Sequence, residues 1–410
     1  MIKRLIYFIG VMNMIYFDNA ATTLIKPKKV VKEAVYSIKN HGNPGRGGYP
    51  LSLNAAQKIF NARLSAASLF GSRSPERVVF TANATMSLNM AIKCFAKSNS
   101  HIILSCFEHN SVYRPVEKLK SDPNYNITYD IFDVSLDKNN KDNDDETVKN
   151  AVSLVKEDTG MIIMTHVSNV CGKILPVRGI IKKAKEKNPG IIAIVDAAQS
   201  AGTLDIDVNR DNIDILCVPA HKGLMGICGL GLLVFGDNLD LAEKAPATLL
   251  EGGTGVNSLE LFMPAETPER FEAGTPNTPA IAALSASLDF IKDETVEKIR
   301  QHEKTLYDKA AEMLTGLKKI NLYSGFTPEN YIGAILFNIK KYKCEDVARV
   351  LSKNNICVRD GYHCAPLAHR KLGTLETGAA RISVGAFNTL DQAQMLCGAI
   401  RKIAQNKEPA

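Results

Sequence analysis

Tryptophan is absent from this chain, and aromatic residues of all kinds make up only 7% of it. That scarcity disfavours base-stacking platforms for single-stranded nucleic acid, which depend on clustered aromatics. Charge of one sign is not in excess either: Lys plus Arg number 50 against 43 Asp plus Glu, a net charge of +7. The basic residues are dispersed along the chain, so no nucleic-acid partner is expected. The 9 cysteines are odd in number, irregularly spaced and without a Cys-x-x-Cys pair. A disulfide scaffold is therefore excluded, and free thiols in a reducing compartment are expected. Beyond the N-terminus no apolar run approaches the length of a membrane span, so no membrane association is expected. What remains is a chain of 410 residues, 45% hydrophobic and 23% charged, long enough for a large domain and a smaller one.

The stretch from Met1 to Phe17 is basic at Lys3-Arg4 and then nearly unbroken in apolar residues from Leu5. It lacks the small-residue cleavage site of a signal peptide and is short for a membrane span. Met14-Ile15-Tyr16-Phe17-Asp18 reads as a complete beginning, so an upstream start codon is the preferred reading and a cytoplasmic location the expectation.

Helical patterns are expected from Pro27 to Asn40 and from Ser52 to Phe70, the second stopped by Gly71. Short apolar runs at 77–81, 101–105, 127–132, 161–166, 191–196, 213–219 and 231–235 read as strands, with helix-length segments such as 84–97 and 111–120 between the early ones. This alternation predicts an α/β fold, a mostly parallel seven-stranded sheet flanked by helices. The Asn/Asp/Lys cluster at 137–145 reads as an exposed loop. From Thr278-Pro279 a long helical stretch runs to Leu317 with a break near Asp293, followed by mixed strands and helices and a last helix from Thr389. That texture predicts a smaller α+β domain over 291–410, after a large domain over 31–290, with residues 14–30 associated with the small one.

Two features carry potential chemistry. Pro219-Ala220-His221-Lys222-Gly223 follows an apolar strand and opens a glycine-rich stretch. A lysine in such a loop is by itself most often a surface group. Gly226 to Gly231 leads into a strand, not a helix, so it is no dinucleotide fingerprint. Asp196, however, ends an entirely apolar strand, where a carboxylate is costly unless it faces a cation or a proton-bearing nitrogen. A pyridoxal phosphate enzyme needs this pair: a lysine to hold the cofactor covalently and an acid facing the pyridine nitrogen.

Further segments turn the pair into a pattern: Tyr16 to Thr23 (YFDNAATT), Glu108-His109-Asn110, Thr165 to Asn169 (THVSN), Asp196-Ala197-Ala198-Gln199, His221-Lys222-Gly223, Arg270 to Thr278 (RFEAGTPNT) and Arg359 to Pro366 (RDGYHCAP). In these motifs and their order, from about Ile15 to the last helix, the chain resembles the class V aminotransferase family of fold-type I pyridoxal phosphate enzymes, in its cysteine desulfurase and selenocysteine lyase branch. The resemblance implies pyridoxal 5'-phosphate as cofactor, with Lys222 as its covalent anchor and the acid/base at the substrate α-carbon. It implies that Asp196 faces the pyridine nitrogen, that His109 stacks on the ring and relays protons, and that Gln199 bonds the ring hydroxyl. Thr85 and His221 would contact the phosphate. Thr275 would reach the phosphate of a partner subunit, which implies a homodimer. Arg381 would pair with the substrate carboxylate, with Asn169 and Arg359 as further substrate contacts.

Cys364 stands where the Suf-type group II desulfurases carry the cysteine that accepts sulfur, which implies conversion of L-cysteine to L-alanine with a persulfide left on the enzyme. Without the resemblance, a buried and inert cysteine is the ordinary reading. The neighbouring His363 and Arg359 are expected to raise its thiolate fraction. A metal site from His363, Cys364 and His369 lacks supporting motifs, so no metal is expected. Cys94, Cys171, Cys217, Cys357 and Cys397 read as packed small hydrophobes, while Cys106 and Cys228 lie near motif residues. The chain departs from the Suf-type pattern at Pro219, at Met86 and from Ala365 through Gly378. Those departures leave the cofactor chemistry intact and bear on the sulfur acceptor and the preferred substrate. The competing readings are a selenocysteine lyase, a C–S lyase without persulfide, an aminotransferase, which Cys364 argues against, and a cofactor-binding scaffold without turnover, which the intact set of Lys222, Asp196, His109 and Cys364 disfavours. A sulfur-acceptor protein is a further implied partner.

Overall fold

All seven apolar runs between residues 77 and 235 enter one sheet. The computed structural model describes residues 14–45, 47–136, 143–241, 247–325 and 329–405. In chain order the strands are β1 (Ile15–Tyr16), β2 (Val78–Thr81), β3 (His101–Ser105), β4 (Thr128–Phe132), β5 (Thr159–Thr165), β6 (Ile192–Asp196), β7 (Ile215–Pro219), β8 (Gly231–Phe235), β9 (Ile320–Leu322), β10 (Ala334–Ile339), β11 (Ile356–Cys357) and β12 (Ala380–Ser383). The helices are α1 (Lys28–Asn40), α2 (Pro50–Leu69), α3 (Ala84–Phe95), α4 (Asn110–Lys120), α5 (Asp144–Ser153), α6 (Val177–Lys187), α7 (Thr278–Glu294), α8 (Val296–Leu314), α9 (Cys344–Lys353), α10 (Pro366–Lys371) and α11 (Leu390–Ala404).

The large sheet has the order β2-β8-β7-β6-β5-β3-β4. Only β8 runs antiparallel to its neighbours, β2 and β7; the remaining pairs are parallel, as the alternation of strands and helices predicted. β6, β7 and β8 are buried at every position, as expected of runs covered on both faces. Their side chains divide with period two. Ala193, Val195, Leu216 and Val218 join a core with α2, α6 and α7. Ile192, Ile194, Ile215 and Cys217 join another with α3 and α4. Alternation therefore carries Asp196 to the α3/α4 side, at the carboxyl end of β6. Carboxyl ends of parallel strands are where open α/β sheets present their ligand crevices.

A second, three-stranded sheet has the order β12-β10-β9, and β1 pairs in parallel with β11 through Ile15 and Ile356. Phe17, Ile335, Phe337, Ile382, Leu396 and Ile400 pack together there with α8 and α11. The long helical stretch breaks at Thr295, where φ is +67°, and the Thr295 side chain caps α8 by accepting from the Lys298 N–H.

One expectation is corrected. Of the loop predicted at 137–145, residues 137–142 lie outside the described residues, and Asp144-Asp145 instead open α5. Asn143 caps that helix by accepting from the Glu146 N–H, and the acidic first turn suits the positive end of the helix dipole. Residues 1–13 also lie outside the described residues. Among the described residues no helix is long and apolar enough to cross a membrane.

Candidate active site

The carboxyl ends of β5, β6 and β7 and the N-termini of α3 and α4 enclose a cavity of about 100 Å³. Thr85, His109, Asn169, Asp196, Gln199, His221 and Lys222 line it, together with Ser111, which the sequence reading did not single out.

One end of this cavity is built for an anion. Asn83 caps α3 by accepting from the Met86 N–H, while the N–H groups of Ala84 and Thr85 take no partner among the described residues. Free first-turn N–H groups and the helix dipole together attract negative charge. The Thr85 hydroxyl continues into the site: it lies 2.8 Å from the Ser111 hydroxyl, which lies 2.9 Å from His109 Nδ1. His109 in turn caps α4, its Nδ1 accepting from the Ser111 N–H at 3.1 Å. The hydrogen-bond network thus assigns the ring proton to Nε2. Burial, helped by the charges of Lys222, Arg114 and Arg381, pushes His109 down to about 4, so its ring is neutral at physiological pH.

The opposite requirement comes from Asp196, which is 4% exposed. One carboxylate oxygen accepts from the Ala198 N–H at 2.9 Å. Burial raises its pKa, while the Ala198 N–H and the Lys222 charge act in the other direction. A buried carboxylate with so few donors calls for a cationic nitrogen in the cavity. Lys222 has no hydrogen-bond partner for its ammonium among the described residues. Burial lowers it to about 8, with Asp196 opposing, so an appreciable fraction is a free amine near neutral pH. Behind Asp196 sits Glu108, wholly buried, accepting from the Thr165 N–H at 2.8 Å and from the Ser105 hydroxyl.

Arg381 and Arg359 approach from the second sheet and do not line this cavity. They face each other in an antiparallel bridge and share Asp18, at 2.8 Å from Arg381 Nη2 and 3.2 Å from Arg359 Nη1. Asp18 is thus a second site residue whose role the sequence did not reveal. Arg381 also donates to the Asn169 carbonyl at 2.8 Å, while its Nε–H is buried without a partner. A buried guanidinium donor without an acceptor is costly, and a carboxylate is the acceptor that suits it. The segment carrying Asp18 stitches both halves together. Thr23 Oγ1 donates to the Lys222 carbonyl at 2.8 Å, Gln199 Nε2 to the Ala20 carbonyl at 3.0 Å, and Thr22 Oγ1 lies 3.0 Å from His221 Nδ1.

Cys364 is exposed, and its carbonyl accepts from the Asn110 N–H at 2.8 Å, beside His109. Asn169 spends its side-chain N–H on the His363 carbonyl, also at 2.8 Å. The expected help from His363 is corrected: burial, with the nearby Arg381 charge, drives His363 down to about 2. A neutral ring supplies no positive charge to a neighbouring thiol. Thr275 does not meet the others. It is exposed on a separate groove of about 680 Å³ with Arg63, Gly253 and Gly255. Cys106 is buried, its thiol pushed up to about 12, and Cys228 is exposed.

The profile of the family described as Aminotransferase class-V matches residues 15–396. A probable cysteine desulfurase of Pyrococcus abyssi is 32% identical, with 96% of this chain and 95% of the relative covered. A probable cysteine desulfurase of Methanothermobacter thermautotrophicus is 31% identical over 95% and 94% of the two chains. Among solved structures, the apo cysteine desulfurase of Thermococcus onnurineus NA1 superposes with a TM-score of 0.85 at 30% identity, covering 96% of this chain and 95% of its own. With the profile spanning nearly the whole length, the cavity lies in a chain that belongs to the class V aminotransferase family.

Proposed function

We propose that this protein is a pyridoxal-phosphate-dependent cysteine desulfurase that converts L-cysteine to L-alanine and takes the sulfur onto Cys364 as a persulfide. The observation that carries the reading is the exposed Cys364 on a loop tied by backbone to Asn110, the chain neighbour of His109, which lines a cavity with Lys222 and Asp196. The donor set fits the cofactor: free N–H groups of α3 with Thr85 and His221 for a phosphate, Asp196 for a protonated ring nitrogen, Gln199 for a ring hydroxyl, and Lys222 for covalent attachment. When bound, the cofactor supplies an electron sink that acidifies the α-hydrogen of an amino acid.

The chain's own groups do the rest. Lys222, lowered to about 8, takes and returns a proton at the substrate α-carbon. Arg381 binds the substrate carboxylate through its unpartnered Nε–H, with Asp18 fixing its plane and Arg359 alongside. The Cys364 thiolate attacks the substrate sulfur. A sulfur–sulfur bond forms and the carbon–sulfur bond breaks; its electron pair stays with carbon, which gains a proton and leaves as alanine. No external oxidant is required.

A homodimer completes the reading. Val31, Val35 and Ile38 of α1 and Leu53, Phe60 and Leu64 of α2 are exposed, an apolar surface suited to a second copy. Thr275 shares a groove with Phe60 and Arg63 of α2, so docking through this face is the route by which it would reach the partner's phosphate. The exposed Cys364 suits hand-over to an acceptor protein, and further thiols outside disulfides, such as Cys106 and Cys228, suit the cytoplasm. The deciding experiment is alanine release from L-cysteine by wild type and Cys364→Ser, with mass spectrometry of the Cys364 peptide. Loss of alanine release in the variant and one added sulfur in wild type support the proposal; undiminished turnover in the variant points to a C–S lyase without persulfide.

A further inference from the structure

The segment after Cys364, where the sequence leaves the Suf-type pattern, buries two polar residues completely. His369 of α10 and Thr374 in the turn beyond it are both 0% exposed. His369 Nδ1 lies 2.8 Å from Thr374 Oγ1, and His369 Nε2 lies 3.1 Å from His363 Nδ1. The two imidazoles lie edge to edge and nearly coplanar, with centroids 5.3 Å apart and planes 9° from parallel. Tyr362 closes the pair with an edge contact to His369 at 5.6 Å.

The network assigns the protons. The Thr374 hydroxyl donates to the His369 carbonyl, so its oxygen accepts from His369 Nδ1–H. His369 Nε2 is then an acceptor, and His363 must donate from Nδ1. Thr374 thereby orders His369, and His369 orders His363.

What this chain of bonds restrains is unusual backbone. His363 and Cys364 have φ of +51° and +57°, two consecutive non-glycine residues in the left-handed region. Such conformations persist only where the surroundings over-determine them. The Ala365 N–H closes the turn on the Tyr362 carbonyl at 3.0 Å, the Asn169 amide holds the His363 carbonyl and the Asn110 N–H holds the Cys364 carbonyl, but these backbone bonds leave the turn without a side chain anchored in the core. Cys364 is exposed, so its own side chain anchors nothing. The His363 ring is the buried side chain that locks the pair, and its hydrogen-bond partner is His369.

We propose that His369, ordered by Thr374, is a positioning residue for the sulfur-accepting thiol: through His363 it holds Cys364 in the left-handed conformation that presents the thiol to substrate. The proposal rests on Cys364 being that thiol.

The test uses the holoenzyme and three readouts: persulfide formation on Cys364 in a single turnover, KM for L-cysteine, and the alkylation rate of Cys364 by iodoacetamide. His369→Phe keeps the ring and removes the bond. It should slow sulfur transfer about tenfold, a loss on the order of one buried hydrogen bond, with KM unchanged and the alkylation rate altered. Thr374→Val, a milder change, should give the same pattern at a few-fold. Adding His363→Gly to His369→Phe should recover most of the lost transfer, because glycine enters the left-handed region without penalty. Wild-type transfer and alkylation in His369→Phe, or equal loss in kcat and KM without rescue by glycine, would overturn the positioning role. If Cys364→Ser keeps full turnover, it is the assignment of the thiol that fails, and the alkylation readout still reports whether His369 shapes the loop.

Discussion

Glu303 offers a direct measure of what burial costs in this fold. It lies on the core-facing stripe of α8 with Ile299, Leu306 and Tyr307, and is 7% exposed. Its carboxyl makes no hydrogen bond or ion pair among the described residues and borders a cavity of about 40 Å³ shared with Asn19, Thr203 and Ser383. Burial alone pushes it up from 4.5 to about 8. The sign follows from linkage. Because the folded-state value is raised, the contribution is fully favourable below the unfolded value, and stability is lost as pH rises through the folded value. Each unit corresponds to about 1.4 kcal/mol, so the loss between pH 4.5 and pH 8 is at most about 5 kcal/mol. Water admitted to the cavity reduces it, and about 2–5 kcal/mol is expected. Glu303→Gln removes the ionisation and keeps the shape. Its stability relative to wild type should therefore climb steadily from pH 5 to pH 8 and level off above, read from urea unfolding midpoints at each pH. A difference that stays flat across that range would refute the argument, since only an ionisation confined to this carboxyl produces the slope.

Three other outcomes are expected. Asp18→Asn leaves Arg381 and Arg359 facing each other without their shared carboxylate; KM for L-cysteine should rise roughly tenfold with little change in cofactor content, as steady-state kinetics and absorbance will tell. Ser111→Ala cuts the link from Thr85 to His109, so fluorescence titration of the apo-protein should show cofactor affinity down by about tenfold, one hydrogen bond to the anion end. Gly172→Ala would place a Cβ 2.3 Å from the Ile332 carbonyl oxygen at a φ of +74°; we expect a loss of about 2–4 kcal/mol in denaturation experiments, and an unchanged midpoint would contradict the packing described.

Legibility in the sequence followed burial. The strands of the large sheet stood out because runs such as Ile192 to Val195 and Ile215 to Val218 are apolar on both faces and end at turn residues. β9 gave no such signal: three residues long and only partly buried, it resembles loop in composition. α10 escaped notice because six residues behind a proline show too little periodicity. At the site, Asp196 and Lys222 were readable because a charge at the end of an apolar strand demands a reason. Ser111 was not, since a serine near a helix start is ordinary and its role depends on meeting Thr85 across α3 and α4. Proximity in sequence misled at His363: adjacency to Cys364 suggested a cation, whereas burial against His369 and Arg381 makes the ring neutral. Two left-handed residues in a row are invisible where no glycine marks them.

The pairing of β1 with β11 bears on how the protein is made. Synthesis delivers β1 and Asp18 first, yet the strand that receives β1 is Ile356–Cys357, and the arginine that Asp18 holds is residue 381. The large sheet needs nothing beyond β8 to complete its strand order, so it can form on the ribosome while the N-terminal segment still waits. A chain cut short by a premature stop before residue 381 would keep Lys222 and Asp196 but possess neither Arg381 nor the bridge that aligns Arg359. Such a fragment is an unfinished enzyme by construction: the corner that would grip the substrate carboxylate closes only when the last part of the message has been read.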